Sequence, residues 1–139
     1  MCGYNLDSTL GEPVSERQLL RQLSSGLERI ARLRPSIITV TPAGSFLDPE
    51  ELPRRVALKI ADVVKSLEST RVLYVESRAV YVLQAVEDGL IDRLLDKLAP
   101  VELSVGIGLE SIDDFVRNCI IHKGISLRAV EKAVKALRE

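Results

Sequence analysis

The sequence is poor in the residues that most often announce a chemistry: it has no tryptophan, one methionine, one histidine and two cysteines. Two thiols far apart in a chain without an export signal are more typical of reduced cysteines or metal ligands than of a disulfide. No apolar run approaches the roughly 20 residues that span a bilayer, and the first residues show no organelle signal. These absences predict a soluble protein of the cytoplasm.

A basic surface is also absent, because 19 Lys and Arg stand against 20 Asp and Glu. A net charge of -1 does not favour binding to nucleic acid through phosphates alone. Any contact with RNA is therefore expected to be local. Scarce Met and Cys beside abundant Leu, Val, Arg and Glu are typical of a thermophile, so the composition indicates a heat-adapted source.

At 139 residues, with 46% hydrophobic and 28% charged side chains, the chain has the length and composition of one globular domain. We expect residues 1–139 to form that single domain. No low-complexity segment or linker divides it.

Short β-branched runs alternate with helical patterns along the chain. The strand-like runs are SIITVT at 36–41, VLYVE at 72–76 and VELSVGI at 101–107. A first helix is predicted to begin after Ser15, with Gln18 completing a capping box. Asp48 with Glu51 predicts a second capping box at a first turn, which Pro53 separates from the main helix. The helical pattern after VLYVE is expected to break near Gly89.

Strands that are each followed by a helix predict an α/β protein with a parallel sheet of repeated βα units. Two helical patterns, IDDFVRNCI and SLRAVEKAVKAL, follow the last strand, with Gly124 between them. Taken as apolar runs without alternation of apolar and polar residues, the strands predict a sheet that is covered on both faces, as in a doubly wound sheet or a (β/α) barrel.

Small and polar residues follow each predicted strand, where parallel α/β folds gather their reactive groups. The loops are PAGS at 42–45, ESR at 76–78 and GIGLES at 106–111. The last resembles a G-x-G-x-x-G dinucleotide turn, but its third small residue is Ser111 and no strand-end carboxylate follows at the expected distance. A nucleotide-binding domain is therefore a weak alternative.

Five motifs, in order along almost the whole chain, resemble the radical S-adenosylmethionine (radical SAM) family: MCGYN, GSFLDPEELP, YVESR, VGIGLES and IIHKG. They are most similar to its archaeosine-biosynthesis branch, and more distantly to the radical SAM domain of the elongator catalytic subunit. The resemblance implies a partial (β/α) TIM-like barrel. Residues 1–139 would be its central part, truncated at both ends and lacking the first strand and the later strands.

The resemblance also implies a [4Fe-4S] cluster held by three cysteines spaced C-x3-C-x2-C. Cys2 matches the last of them, and Met1 resembles an internal methionine that precedes it. One thiolate cannot hold a four-iron cluster, and Cys119 stands in a helical pattern far from this motif. This chain alone is therefore expected to be inactive, because two cluster cysteines are missing.

The remaining motifs are assigned to S-adenosylmethionine (SAM) by the resemblance. A-G-S stands where the family commonly has G-G-E and receives the SAM amino group, E-S-R matches E-[ST]-R near the polar end of SAM, and G-L-E-S matches a loop that faces the cofactor or substrate. The cofactor-binding residues implied in this way are Gly44, Ser45, Glu76, Arg78, Glu110 and Ser111.

Each of these residues also has an ordinary structural interpretation. Asp48 is explained by helix capping, and Glu76 with Arg78 by an ion pair at a strand end. His122 stands three residues after Cys119, but two ligands do not make a zinc site, so a buried thiol and an imidazole near a helix end are expected. Cys2 on its own would be a terminal thiol.

The sequence thus supports two functions of different classes. By resemblance, the full-length protein is an enzyme that modifies a tRNA nucleoside, of archaeosine type, through a 5'-deoxyadenosyl radical, with tRNA and a partner subunit as its partners. The alternative is a catalytically silent α/β fragment. Its missing strands would leave open sheet edges and an uncovered face, which favour a homo-oligomer.

Overall fold

The computed structural model describes Glu12 and residues 14–138. They form three strands and five α-helices: α1 (Glu16–Ala31), β1 (Ile37–Val40), α2 (Arg54–Lys65), β2 (Val72–Ser77), α3 (Ala79–Glu87), α4 (Leu90–Leu98), β3 (Glu102–Ile107) and α5 (Leu127–Ala136). A π-helical segment, Val116–Ile120, lies between β3 and α5. No helix in these ranges is long and apolar enough to cross a membrane.

The three strands form one parallel sheet in the order β1-β2-β3. Ile37 is paired with Val72, which is paired in turn with Glu102, so the three strands begin side by side. The predicted strands and their parallel arrangement are confirmed. A sheet of this size occurs in several α/β folds, so it does not distinguish a barrel fragment from the others.

One face of the sheet is buried and the other is open. Ile38, Leu73 and Val75 are at most 3% exposed, whereas Thr39 and Glu76 on the opposite face are exposed. Within the described residues the expectation that both faces are covered is not met, and the uncovered face agrees instead with the fragment alternative. LYVES and ELSVGI alternate apolar and polar residues, which is the period of a sheet with one buried face.

Helices α2 to α5 contribute to the same core as the buried face of the sheet. Its buried side chains larger than alanine are Ile38, Phe46, Leu47, Leu52, Val56, Ile60, Val64, Leu73, Val75, Val82, Leu90, Ile91, Leu94, Leu98, Val101 and Val130. Helix α1 packs against α2 through its apolar stripe, with Leu27 buried. Apolar side chains at helical spacing thus fix how the helices cover the sheet.

The predicted signals at the first helix and at the break between α3 and α4 are confirmed. The Ser15 hydroxyl accepts from the Gln18 amide at 3.3 Å, and the Ser15 amide donates to Gln18 Oε1 at 2.8 Å. Gly89 ends the α3 pattern in the left-handed region, with φ 68°, where glycine has no steric penalty.

The second predicted capping box does not form, although Pro53 separates this turn from the main helix as expected. Helix α2 begins at Arg54 with no side-chain hydrogen bond at its cap. Asp48 Oδ1 instead accepts from the Glu50 amide at 2.9 Å, which closes a turn ahead of the helix. The Glu51 carboxylate does not cap a helix and accepts instead from the Ser45 amide.

Candidate functional site

The carboxyl ends of the parallel strands lie along one edge of the sheet, here called the strand-end rim: loop 41–48 after β1, residues 76–78 at the end of β2, and loop 108–112 after β3. Two hydrogen bonds join the first two loops. The Phe46 amide donates to the Glu76 carbonyl at 2.9 Å, and the Arg78 amide donates to Ser45 Oγ at 3.1 Å. The predicted convergence of these loops is confirmed.

Lys123 joins the third loop to the same rim. Its ammonium lies 2.5 Å from Glu110 Oε1, and its carbonyl accepts from Arg78 Nη2 at 3.3 Å. Arg78 is thus linked by hydrogen bonds to the loop after β1 and to the segment that carries Lys123. Among the described residues Arg78 forms no ion pair with Glu76, so their interpretation as a strand-end ion pair finds no support.

Ser45 and Gly44 contribute to the rim in different ways. Ser45 is 1% exposed and its hydroxyl is already bonded to the Arg78 amide, so this side chain holds the loops together. Gly44 is exposed, and a Cβ there would collide with the Glu51 carboxylate. Glu51 Oε2 accepts from the Ser45 amide at 2.9 Å. Glu51 therefore brings a carboxylate to the A-G-S loop, a position that its assignment to a capping box obscured.

The open face of the sheet carries a phenol and a carboxylate next to the rim. The Tyr74 hydroxyl donates to Glu76 Oε1 at 3.3 Å, and Gly106 on β3 leaves the space in which that hydroxyl lies. Partial burial, then the charge of Glu76 and the hydrogen bond to it, raise the pKa of Tyr74 above its usual value. The phenol therefore remains a hydrogen-bond donor at neutral pH.

Asp48 has a structural role, as its sequence context indicated, although in a turn and not at a helix cap. It is 5% exposed and it also bonds the Tyr81 hydroxyl. That hydrogen bond is the main reason why the pKa of Tyr81 is raised. The pair fastens the turn to α3, behind the rim.

Arg117 is the second residue that the sequence interpretation missed. Its guanidinium is fully buried and donates to the carbonyls of Ser111, Ile112 and Ile125 at 2.8 to 3.1 Å, as well as to the Asp114 carboxylate. It thereby ties the loop after β3 to the segment that follows the π-helix. An arginine in an amphipathic pattern normally predicts a solvated side chain, so no local signal distinguished it.

A metal site finds no support within residues 14–138, where no group of three His, Cys, Asp or Glu side chains could hold an ion. Cys119 is exposed and not buried as expected, because it projects from the short π-helical segment. Cys2 and Met1 lie outside the described residues. Two cysteines in the whole sequence cannot supply the three thiolates of a site-differentiated cluster, so this chain's own residues do not fit a [4Fe-4S] group.

The sequence of the chain is similar to those of several known proteins. The chain is 29% identical over 140 residues to the archaeosine synthase subunit beta of Methanosarcina acetivorans, covering 100% of this chain and 39% of the relative. It is 26% identical over 122 residues to that of Thermococcus kodakarensis, covering 87% and 36%. An uncharacterized protein of Methanocaldococcus jannaschii is 26% identical over 139 residues, covering 97% and 36%.

The chain therefore spans little more than a third of the length of the curated relatives it matches. No family model and no solved structure matches it. The similarity to archaeosine synthase subunit beta agrees with the branch that the motifs indicated.

Proposed function

We propose that this chain is the central part of a radical SAM protein that acts in archaeosine modification of tRNA, and that its strand-end rim binds SAM. The observation that carries the proposal is the hydrogen-bonded junction of Ser45, Arg78 and Lys123, which joins three loops with SAM-type motifs on one edge. Two relatives named archaeosine synthase subunit beta add support for the pathway. Their names also imply a partner subunit, and we extend that expectation to this chain.

In this proposal different polar groups of the rim bind the amino group and the carboxylate of SAM. Gly44 leaves its backbone open to the SAM amino group, and Glu51 supplies the carboxylate that pairs with an ammonium. The Arg78 guanidinium would pair with the SAM carboxylate. Glu76, Glu110 and Ser111 would face the nucleoside or the substrate.

The remaining parts of the proposal concern what the chain contributes to a larger protein. We propose that the open sheet face is the interior of a partial TIM-like barrel, because parallel sheets are normally covered on both faces and no described element covers the face that carries Thr39 and Glu76. Since the cluster does not fit the residues of this chain, we propose binding of SAM here, and no radical chemistry by the chain alone.

Equilibrium binding of SAM to the 139-residue chain, measured by isothermal titration calorimetry, tests the proposal. We expect binding by the unaltered chain and a loss of about tenfold or more in Arg78→Met, because a charge-assisted hydrogen bond is removed. Arg93→Met is the matched control, since Arg93 lies on α4 and bonds the Asp88 and Gly89 carbonyls at the break between α3 and α4. Absence of SAM binding, or tighter binding of NAD than of SAM, would overturn the proposal.

A further inference from the structure

We propose that Lys123 is an oxyanion-binding residue of the strand-end rim, and that Glu110 is the internal carboxylate which an incoming anion replaces. The inference deepens the proposed function and rests on it for the identity of the ligand. The assignment of an oxyanion site rests on the contacts around Lys123.

Two cationic side chains contact the segment that carries Lys123. The Lys123 ammonium is bonded to Glu110, and the Lys123 carbonyl accepts from the Arg78 guanidinium. Among the described residues no carboxylate forms an ion pair with Arg78, and the Glu76 carboxylate is bonded to the Tyr74 phenol. The Arg78 guanidinium therefore has N–H groups that pair with no carboxylate among these residues, and they are available to a carboxylate or phosphate oxygen.

The Lys123 ammonium has a prepared position at the end of β3. It lies 2.9 Å from the point where a Cβ at residue 108 would stand, so the ammonium occupies space that Gly108 leaves free. The Lys123 and Glu110 side chains are 24% and 46% exposed. A ligand can therefore reach both, and the more exposed Glu110 carboxylate is free to move into solvent.

The backbone around this pair is held in an unfavourable conformation. Glu110 and His122 have positive φ values of 66° and 57°, although neither is a glycine, and such residues cost about 1–3 kcal/mol each in general and cluster at ligand sites. The buried Arg117 guanidinium bonds carbonyls on both segments and holds them in register. The two strained segments are thus held in place by the fold, and together they position Lys123 opposite Glu110.

Titration of the ¹⁵N-labelled chain with sodium phosphate and with sodium acetate, at constant ionic strength, tests the site by NMR. We expect saturable shifts at the amides of residues 108–111 and 122–124. Lys123→Met should weaken binding about tenfold, Lys123→Arg should retain it, and Glu110→Gln should tighten it several-fold because the competing carboxylate is gone. Lys97→Met is the control, because Lys97 forms a comparable ion pair with Asp62 at 2.7 Å, away from the rim.

The source of the oxyanion is resolved by comparing SAM, 5'-methylthioadenosine and a short RNA. If Lys123→Met weakens SAM binding but not binding of 5'-methylthioadenosine, which lacks the carboxylate, the anion is the SAM carboxylate. If it weakens only RNA binding, the anion is a phosphate. Unchanged phosphate and acetate titrations in Lys123→Met, no saturable shift in the unaltered chain, or weaker binding in Glu110→Gln would each overturn the inference.

Failure of this inference and failure of the proposed function give different results. Phosphate or acetate binding that depends on Lys123, without SAM binding, would leave the oxyanion site standing and remove the proposed function. SAM binding that Arg78→Met weakens, together with phosphate and acetate titrations that Lys123→Met leaves unchanged, would do the reverse.

Discussion

Two glycines at the rim leave room for the ends of long polar side chains. Gly106 and Gly108 do this for the Tyr74 hydroxyl and the Lys123 ammonium. Both glycines were noticed in the sequence as a weak nucleotide-binding motif. Their contacts indicate another reason for glycine, since each stands where a methyl group would displace a polar side chain.

Gly106→Ala should move the Tyr74 phenol off β3 and break its hydrogen bond to Glu76. The pKa of Tyr74 should then fall towards its ordinary value of 10.0, because both its burial and its carboxylate neighbour are lost. NMR titration of the tyrosine Cζ resonances measures this change. Global stability should change by less than about 1 kcal/mol, since the displaced atoms end a side chain that can rotate.

Gly26→Ala is the control for this substitution. Nothing lies within 4 Å of a Cβ at residue 26, in the middle of α1, so it should stabilise the chain by about 0.5–1 kcal/mol and leave the Tyr74 pKa unchanged. An unaltered Tyr74 pKa in Gly106→Ala would show that Gly106 does not seat the phenol.

Arg117→Met should lower the free energy of unfolding by about 3 kcal/mol, because three carbonyls lose a buried donor and each unsatisfied group costs about 1–3 kcal/mol. Urea denaturation followed by circular dichroism measures the loss. Arg55→Met is the matched control: its side chain is 80% exposed and pairs with Glu16 at the surface, so it should cost less than about 1 kcal/mol. Equal losses in the two variants would contradict the role of Arg117.

At the scale of elements, the helices are joined to one another mainly by apolar packing, with a few ion pairs across them. Arg54 of α2 bonds the Leu47 carbonyl at 2.6 Å and Asp88 at 2.7 Å, which links the turn before α2 to the end of α3. Lys97 of α4 pairs with Asp62 of α2. These contacts join the helices that cover the buried face of the sheet to one another.

The Asp62–Lys97 pair predicts a contribution to stability that acid removes. The hydrogen bond from Lys97 is the main reason why the pKa of Asp62 is below its ordinary value of 3.8. A carboxyl group whose pKa is lower in the folded state stabilises that state above the unfolded pKa, and the contribution is lost as pH falls through the folded pKa. The chain should therefore be more stable than Lys97→Met at neutral pH, with the difference vanishing well below about pH 4.

Denaturant titrations of both proteins at a series of pH values test this expectation. High salt should reduce the difference at neutral pH, because the pair is partly exposed. Lys132→Met, a change on α5, is the control and should show no such pH dependence. A difference that persists at pH 2 would rule out the ion pair as its cause.

At the scale of the whole molecule, the sheet ends in two edge strands, β1 and β3, within the described residues. Ile37 on β1 is 57% exposed. An apolar edge strand is a template for pairing with another chain. The expected homo-oligomer stays a prediction, and the edge of β1 is the place where we expect its contact.

Gel filtration with light scattering at several concentrations should show a dimer or larger species. Ile37→Lys should shift it to monomer, because a charge at the edge opposes strand pairing. Leu33→Lys is the matched control: Leu33 is 77% exposed but lies before β1, off the sheet. A monomer at all concentrations in the unaltered chain would exclude this contact.

The sequence by itself determined the elements and their order. The β-branched runs, Ser15 with Gln18, and Gly89 are local signals, because backbone preference and side-chain period act over a few residues. They predicted the parallel sheet and the three loops that meet at the rim. The alternation of apolar with polar or small residues in ELSVGI also indicates that one face of the sheet is open.

The tertiary structure alone decided which side chains meet at the rim. The Arg78 amide bonds Ser45, 33 residues earlier, and its guanidinium bonds Lys123, 45 residues later. Such contacts depend on strand register and on loop paths fixed by a buried arginine, and neither leaves a periodic trace in the sequence. Glu51, Arg117 and Lys123 were missed for that reason, since a charged side chain in a turn or an amphipathic segment looks the same whether it is solvated or bonded.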